Sequence, residues 1–575
     1  LSSVFGPYAQ DDTYGSRAIN PMELYHNQVT RLQGAFSLRM FHRSWGLMLI
    51  QANLEAPCAL LDFPSLDQFI EELDRVPYDV VGISAIRPNL KKVAKMCEEV
   101  RRRLPRATIV VGGHIANEPS LGSRIDADHI VRGEGVRWFR EFLGEHVDRP
   151  IRHPEITSGF GGRTLGVPLG DGHRSTAATL IPSVGCPMGC NFCSTSAMFG
   201  GKGRFVSFYE SGDELYEIMC RLEASMRVQS FFVMDENFLL YRKRALRLLE
   251  RMRQGGKPWS LYVFSSAHTL RRYTMEELVG LGISWLWMGL EGKRSGYAKL
   301  GGIDTRALVA ELQEDGIRVL GSTIVGLPEH TPEGIDEAIE HAVAHDTEFH
   351  QFMLYTPLPG TPLHLEHQAA GTLLSEEECD PADVHGQLRF NFRHPWIRDG
   401  QETEFLLRAF RRDFEANGPS VTRIARTLLR GWRRHKHHAE ERVRARFARE
   451  CAGLSTVFSG AVWAAERHFR HDALLRGRIR GLREELVREF GWRSRASAAV
   501  LGPAIFGALS LEERRLRRGW AYEPATFYEV NAAAKALPDP RWRKANPCRW
   551  VSLEGDPAEK DLDLAGTPPG VPVTV

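Results

Sequence analysis

Three cysteines within one short run constrain this chain more than anything else in it. They stand in Gly185-Cys186-Pro187-Met188-Gly189-Cys190-Asn191-Phe192-Cys193, a C-x3-C-x2-C spacing. The run gathers three soft thiolates in one loop and supplies no fourth. Thiolates of this kind suit zinc or iron–sulfur clusters. A structural zinc site asks for four closed ligands, usually drawn from two paired motifs. A four-iron cluster held by three cysteines instead keeps one iron open to a further ligand. From the loop alone, a zinc knuckle is the other reading.

The residues that follow the loop give it a setting. Between about 175 and 370, apolar β-rich runs alternate with helical ones, as in parallel α/β folds. Strands are expected at 180–185, 230–234, 259–266, 285–289, 319–325 and 349–356, and helices at 213–226 and 242–254. Polar residues or Gly and Pro follow the strands: the cysteine loop, Asp235-Glu236-Asn237, Glu291, Gly326-Leu327-Pro328, and Pro357 to Pro362. In α/β barrels that end of the strands binds the ligands.

The first third repeats strand, small-residue loop and helix. A strand at 79–84 ends at Ser84, and a helix is expected at 90–104. A strand at 107–111 ends in Gly112-Gly113-His114, and 128–131 leads into Gly133-Glu134-Gly135. This is the doubly wound pattern, with ligands beyond the strand ends. Glycine there lets the backbone approach a flat or phosphorylated ligand.

From about 375 the pattern turns helical. Asn417-Gly418-Pro419-Ser420 is a break, and Val421, Ile424, Leu428 and Trp432 then recur at helical spacing with Arg423, Arg426, Arg430, Arg433 and Arg434 largely on other faces. A second basic helix carries Arg442, Arg444, Arg446 and Arg449. A solvated face over a small core is the expected arrangement, and contact with an anionic membrane or with nucleic acid is the alternative for such helices. The net charge of +2 does not mark a polycation, so nucleic acid is not an expected partner. No uninterrupted apolar run reaches the length of a membrane span, no secretory signal is visible, and nine cysteines without an even ladder fit a reducing cytoplasm.

In this order, the motifs resemble those of cobalamin-dependent radical S-adenosylmethionine (SAM) enzymes. The resemblance implies an α/β chain: a doubly wound, Rossmann-like cobalamin-binding domain over 1–160, a partial (β/α)6 radical SAM barrel over 175–370 and a mostly helical domain over 375–575. It implies a 4Fe–4S cluster on Cys186, Cys190 and Cys193, with Phe192 against the adenine of SAM. Asp235, Glu236 and Asn237 fall where the family holds the SAM amino group, although the family's glycines are missing there. Glu291 falls at the ribose position and Gly326 beside the adenine. Ser84, Gly112, Gly113, His114, Gly133, Glu134 and Gly135 match cobalamin-domain landmarks. The Asp-x-His-x-x-Gly motif that gives cobalt a histidine in other cobalamin proteins is absent, and Asp126-x-x-His129-x-x-Arg132 has the wrong spacing. The family's chemistry implies a 5′-deoxyadenosyl radical and, in its commonest form, methylation of an unactivated carbon, with oxidative cyclisation or another non-methylating reaction as the alternative. No catalytic side chain is assigned. A tRNA methylthiotransferase would need three cysteines in the first third, which has only Cys58 and Cys97. The expected partners are a small-molecule or lipid-like substrate and a reductase, flavodoxin or ferredoxin electron donor, to a monomeric chain.

Overall fold

The computed structural model describes residues 1–6, 13–19, 24, 27–168, 177–291, 302–398, 400–520, 522–539, 541 and 551–552. The first parallel sheet contains β1 (Ser2–Ser3), β2 (Ala59–Asp62), β3 (Val80–Ser84), β4 (Thr108–Gly112) and β5 (His129–Ile130), in the spatial order β2-β1-β3-β4-β5. Val81, Ile83, Ile109 and Val111 bury against the helix Leu90–Arg103 through Val93, Met96, Cys97 and Val100. Those helix positions recur at three- and four-residue steps, the spacing of one buried stripe.

The second sheet holds six parallel strands in sequence order: β6 (Ala177–Leu180), β7 (Ser230–Val233), β8 (Ser260–Ser265), β9 (Ile283–Gly289), β10 (Arg318–Val325) and β11 (Phe349–Leu354). This is the expected partial barrel. The short strand Thr157–Ser158 pairs antiparallel with β6 at its edge. Alternate residues face opposite ways along each strand. Phe231, Val233, Leu261, Val263, Leu286 and Met288 share a core with Leu215, Met219, Leu222, Leu248 and Met252 of the covering helices. The opposite set, Phe232, Phe264, Trp287, Ser322 and Gln351, lines the concave side and stays half-buried. The turn into β9 needs Gly282, at φ +82°, because a β-carbon there would lie 2.2 Å from the Trp259 carbonyl oxygen.

The strand expected at 180–185 is divided. β6 stops at Leu180, and Ser183–Val184 pairs instead with Val206–Ser207 in an antiparallel ribbon. Pro182 has no N–H to give the barrel ladder, which accounts for the break.

The helical region contains Gln401–Asn417, Ser420–His435, Glu441–Glu450, Ser459–His468, Ala473–Phe490 and Trp492–Arg517. The change of element type near 375 is as expected, but this region does not stand apart. Ala35, Phe36, Leu165 and Val279 belong to the same core as Leu428, Phe447 and Leu486. Phe405, Leu406 and Phe410 pack with Ile335 and Phe352 of the barrel. Past the helices the chain returns to the first sheet, where Phe527–Val530 runs antiparallel to β2.

The arginines of the basic helices pair with acids of the barrel and of neighbouring helices, although Arg433 and Arg434 stay exposed. Arg426 meets Asp346 at 2.9 Å, Arg430 meets Glu314 at 3.1 Å, Arg433 meets Glu485 at 2.7 Å and Arg434 meets Asp315 at 3.0 Å. One helix, Trp492–Arg517, is long and apolar enough to cross a membrane by length and composition, which corrects the sequence reading that no such run exists.

Arg423 ties the helical region to the barrel. Its side chain is 1% exposed and its guanidinium donates to both oxygens of Asp413, at 3.1 and 2.8 Å, and to the Thr347 carbonyl at 2.7 Å. Replacing one partner of a buried pair strands the other charge, at a cost of about 3–5 kcal/mol. Asp413→Ala is expected to lower the urea unfolding free energy by that amount.

Candidate active site

The cysteine loop hangs from the C-terminal end of β6. Two tight turns shape it. Gly185 has φ +87°, and a β-carbon there would lie 2.7 Å from Phe199 Cβ. Gly189 has φ +69°, and its β-carbon would lie 2.5 Å from Lys202 Cβ. Cys193 caps the helix Ser194–Met198, its sulfur accepting from the Ser196 N–H at 3.5 Å, and Ser196 Oγ donates to the Cys186 carbonyl at 3.0 Å. All three thiols are half-buried. Burial pushes the Cys186 thiol up to about 11, and the Cys193 and Cys190 thiols add to the rise.

Three thiolates in one loop, with no fourth cysteine in it, fit a four-iron cluster in which each thiolate binds a different iron and one iron stays open.

The three residues after β7 have different fates. Asp235 is buried and fully engaged: Ser183 Oγ donates to it at 2.6 Å, Arg244 forms an ion pair with it, and the Asn237 N–H donates to it at 3.1 Å. Asn237 accepts from Ser265 Oγ at 3.0 Å and donates to Thr269 Oγ1 at 3.5 Å. Asp235 and Asn237 thus tie the end of β7 to its surroundings. Glu236 differs: its Oε2 is buried without a hydrogen-bond partner, and burial raises its carboxyl to about 7. An unpartnered buried carboxylate oxygen at this place fits the cationic amino group of SAM.

Glu291 follows β9, is buried and holds φ at +40°. Its backbone N–H and that of Leu290 donate to the Ser322 carbonyl, at 3.4 and 2.7 Å. Gly326 also has positive φ, +79°, but its lack of a side chain serves Phe390, whose ring would lie 2.3 Å from a β-carbon there. Its N–H donates to His330 Nδ1 at 3.1 Å. Phe192 packs against the cluster that includes Val325 and Leu327, so the structure brings Phe192 and the Gly326 turn to one wall.

The first sheet meets this wall with its strand ends. His114 Nε2 pairs with Thr195 Oγ1 at 3.1 Å, Asn117 Nδ2 donates to the Ser194 carbonyl at 3.0 Å, and Arg132 donates to the Ala197 carbonyl at 3.0 Å. His114 is thus a bridge to the helix after the cysteines, and burial lowers its pKa. Gly113, at φ +83°, packs on the Ala85 carbonyl oxygen, 2.5 Å from its would-be β-carbon, and on Ser84 Oγ. The Glu134 carboxylate caps the helix Gly135–Phe142 through the Val136 and Arg137 N–H groups, and Gly135 makes room for Ile50. These are structural duties for His114, Gly113, Glu134 and Gly135. Gly112 and Gly133 carry no such duty: a β-carbon at 112 would meet the Val131 carbonyl oxygen at 3.6 Å and one at 133 the Met198 carbonyl oxygen at 3.9 Å, both ordinary contacts.

The concave side of the barrel carries residues the sequence reading does not assign. Phe264 stacks on Trp287 with ring centroids 4.9 Å apart, and Phe232 meets Phe264 at 5.8 Å. His42 stacks on Phe232 at 6.0 Å and Trp45 lies 5.7 Å from it. His42 Nδ1 and Trp45 Nε1 are buried without hydrogen-bond partners, and burial lowers the His42 imidazole to about 4. Trp287 Nε1 donates to Ser322 Oγ at 2.7 Å, which donates to Gln351 at 3.1 Å. Strand alternation was the available signal for Phe232, Phe264 and Trp287. Nothing local marks His42, which reaches the barrel from the first third.

Residues 36–143 match the B12 binding domain family and residues 180–342 match the Radical SAM superfamily. The chain therefore carries a B12 binding domain followed by a radical SAM domain. It is 26% identical over 362 residues to an uncharacterized methyltransferase of Pyrococcus horikoshii, covering 55% of this chain and 74% of that protein. It is 24% identical over 303 residues to the bacteriochlorophyllide d C-12(1)-methyltransferase of Chlorobaculum tepidum, covering 50% and 65%. It is 23% identical over 390 residues to the anaerobic magnesium-protoporphyrin IX monomethyl ester cyclase of Cereibacter sphaeroides, covering 59% and 60%. The matched region is thus less than two thirds of the length of the last two.

Asp235 and Glu236 are adjacent acids with opposite duties, and stability separates them. Asp235→Asn leaves Arg244 buried and unbalanced, so it is expected to cost about 3–5 kcal/mol in urea unfolding. Glu236→Gln is expected to raise the unfolding midpoint at neutral pH in the cofactor-free chain, because it removes a carboxyl whose charged form burial penalises.

Proposed function

We propose that this chain is a cobalamin-dependent radical SAM enzyme that transfers a methyl group to an unactivated carbon of a flat, largely apolar small molecule. One observation carries the reading. The strand ends of the B12 binding domain are hydrogen-bonded to the helix capped by Cys193, so both cofactor domains open on one mouth.

Each side chain has a part at that mouth. Cys186, Cys190 and Cys193 would hold the cluster. Glu236 would accept from the SAM ammonium, Glu291 would meet the ribose hydroxyls, and Phe192 would offer an apolar wall to the adenine. Gly112 and Gly133 would lie against the corrin. When bound, the cluster with SAM supplies one-electron hydrogen abstraction, and cobalamin supplies the methyl group. The protein orients the substrate and keeps water out. Phe232, Phe264 and Trp287 give the substrate a stacking wall, with ring–ring contacts favoured in offset or edge-on arrangements. His42 Nδ1 and Trp45 Nε1 are the polar points that fix its orientation. Electrons come from a reductase, flavodoxin or ferredoxin.

The methyltransferase names of two relatives support methyl transfer. Oxidative cyclisation is the second reading, favoured by the cyclase among the relatives. The test is anaerobic reconstitution with iron, sulfide and methylcobalamin, followed by SAM and dithionite. 5′-Deoxyadenosine together with S-adenosylhomocysteine is the expected outcome. Deoxyadenosine alone favours cyclisation, and failure to bind both cluster and cobalamin overturns the reading. Cys190→Ala is expected to lose the iron–sulfur absorbance and all SAM cleavage. Glu236→Gln is expected to keep the absorbance and to weaken SAM binding by about ten- to hundredfold, the range of one charged hydrogen bond.

A further inference from the structure

The helix Trp492–Arg517 has two unlike faces. Ser494, Ala498, Gly502, Leu509 and Glu512 form its buried seam. Gly502 brings the backbone against the Trp463 ring, which would lie 2.6 Å from a β-carbon there. The Glu512 carboxylate is fully buried and faces Arg39 at 3.6 Å, Arg163 at 3.7 Å and Arg515 at 3.6 Å. This seam fixes the helix to the body of the protein.

The other face is exposed and apolar. Trp492 is 75% exposed, Val500 71% and Leu511 45%, with Ala496 and Pro503 exposed on the same side. No charged residue occurs from Ala496 to Leu511. At 1.5 Å per residue that stretch is roughly 24 Å long. Exposed arginines bracket it: Arg493 and Arg495 at one end, and at the other Arg514 with Arg517, which lies 3.9 Å from Glu513. A row of exposed apolar residues on one helix face is a candidate interaction site.

We infer that this face seats the protein on an anionic lipid surface, with the helix lying in the plane of the interface. The charge pattern selects the occupant. A charge-free stripe suits the acyl boundary, and arginines at both ends suit phosphate headgroups. The helices Ser420–His435 and Glu441–Glu450, richer in arginine, do not suit this role because acids of the barrel and neighbouring helices already pair with much of that charge. Spanning the bilayer is excluded by the seam, since it would pull Glu512 away from Arg39 and Arg163 into hydrocarbon. The inference stands apart from the proposed reaction.

The test is flotation of the full-length chain with vesicles of phosphatidylglycerol in phosphatidylcholine, against phosphatidylcholine alone. Flotation with the anionic vesicles only, reduced by at least about tenfold in V500E/L511E, supports the inference. Both positions are exposed, so the melting midpoint of the variant should equal that of the parent. The charge variant R493E/R495E, which leaves the apolar stripe intact, should also lose anionic binding. The inference is overturned if the chain stays unbound with anionic vesicles, or if V500E/L511E and R493E/R495E both float as well as the parent. It is overturned equally if the chain is a dimer that V500E/L511E converts to a monomer without vesicle binding, which would give the face to a second copy.

Discussion

The mouth of the barrel depends on one buried ion pair. Arg244, from the helix Arg242–Gln254, meets Asp235 at the end of β7, and Ser183 donates to the same carboxylate from the segment that leads into the cysteines. Strand end, covering helix and cysteine loop therefore share a single anchor. Isolated in the interior, either charge would be costly. Together, with Ser183 and the Asn237 N–H as further donors, they are satisfied. The neighbouring Glu236 is held at the end of the same strand with no such partner on Oε2. A rigid, saturated carboxylate thus stands beside an unsaturated one, and only the second has capacity left for a ligand.

The same division runs through the first sheet. Gly113, Glu134 and Gly135 are needed where they are by backbone packing and helix capping, and His114 by the bridge to Thr195. Gly112 and Gly133 carry no such duty, since a β-carbon at either would make only ordinary contact with the Val131 or the Met198 carbonyl oxygen. On the barrel side the situation reverses. The concave wall is filled with rings, and its unpartnered polar atoms, His42 Nδ1 and Trp45 Nε1, come from a segment outside the barrel. These atoms lie where the first third of the chain meets the barrel.

Much of this was legible in the sequence, for local reasons. The barrel strands announce themselves by alternation and by the polar, Gly or Pro residues at their C-terminal ends, and the thiol loop by its spacing. The helix over 242–254 lies where its periodicity puts it. The illegible parts are those decided by distant contacts. Nothing near Phe527–Val530 says that it returns to pair with β2. Asp235 and Glu236 are equivalent acids in sequence, and only Arg244 and Ser183 tell them apart. The division of the expected strand at Pro182 was local, and the residue type was the available clue.

The helical region shows why counting charges misleads. Arginine density drew attention to 420–450, yet there Arg434 reaches Asp315, Arg426 reaches Asp346 and Arg423 is sealed inside with Asp413. A charge already paired has little field left to offer a membrane. The helix Trp492–Arg517 has the weaker signature in sequence because Ala, Gly and Ser dilute its hydropathy, which reaches a mean of 1.3 in its most apolar window. Its significance comes from burial: only 22% of that window is inside the protein, although the Glu512 seam anchors the helix firmly. Apolar residues that a fold could have covered, held outward by a charged seam on the opposite face, are an arrangement that packing alone does not require. The surface is explained by something the helix touches beyond its own chain.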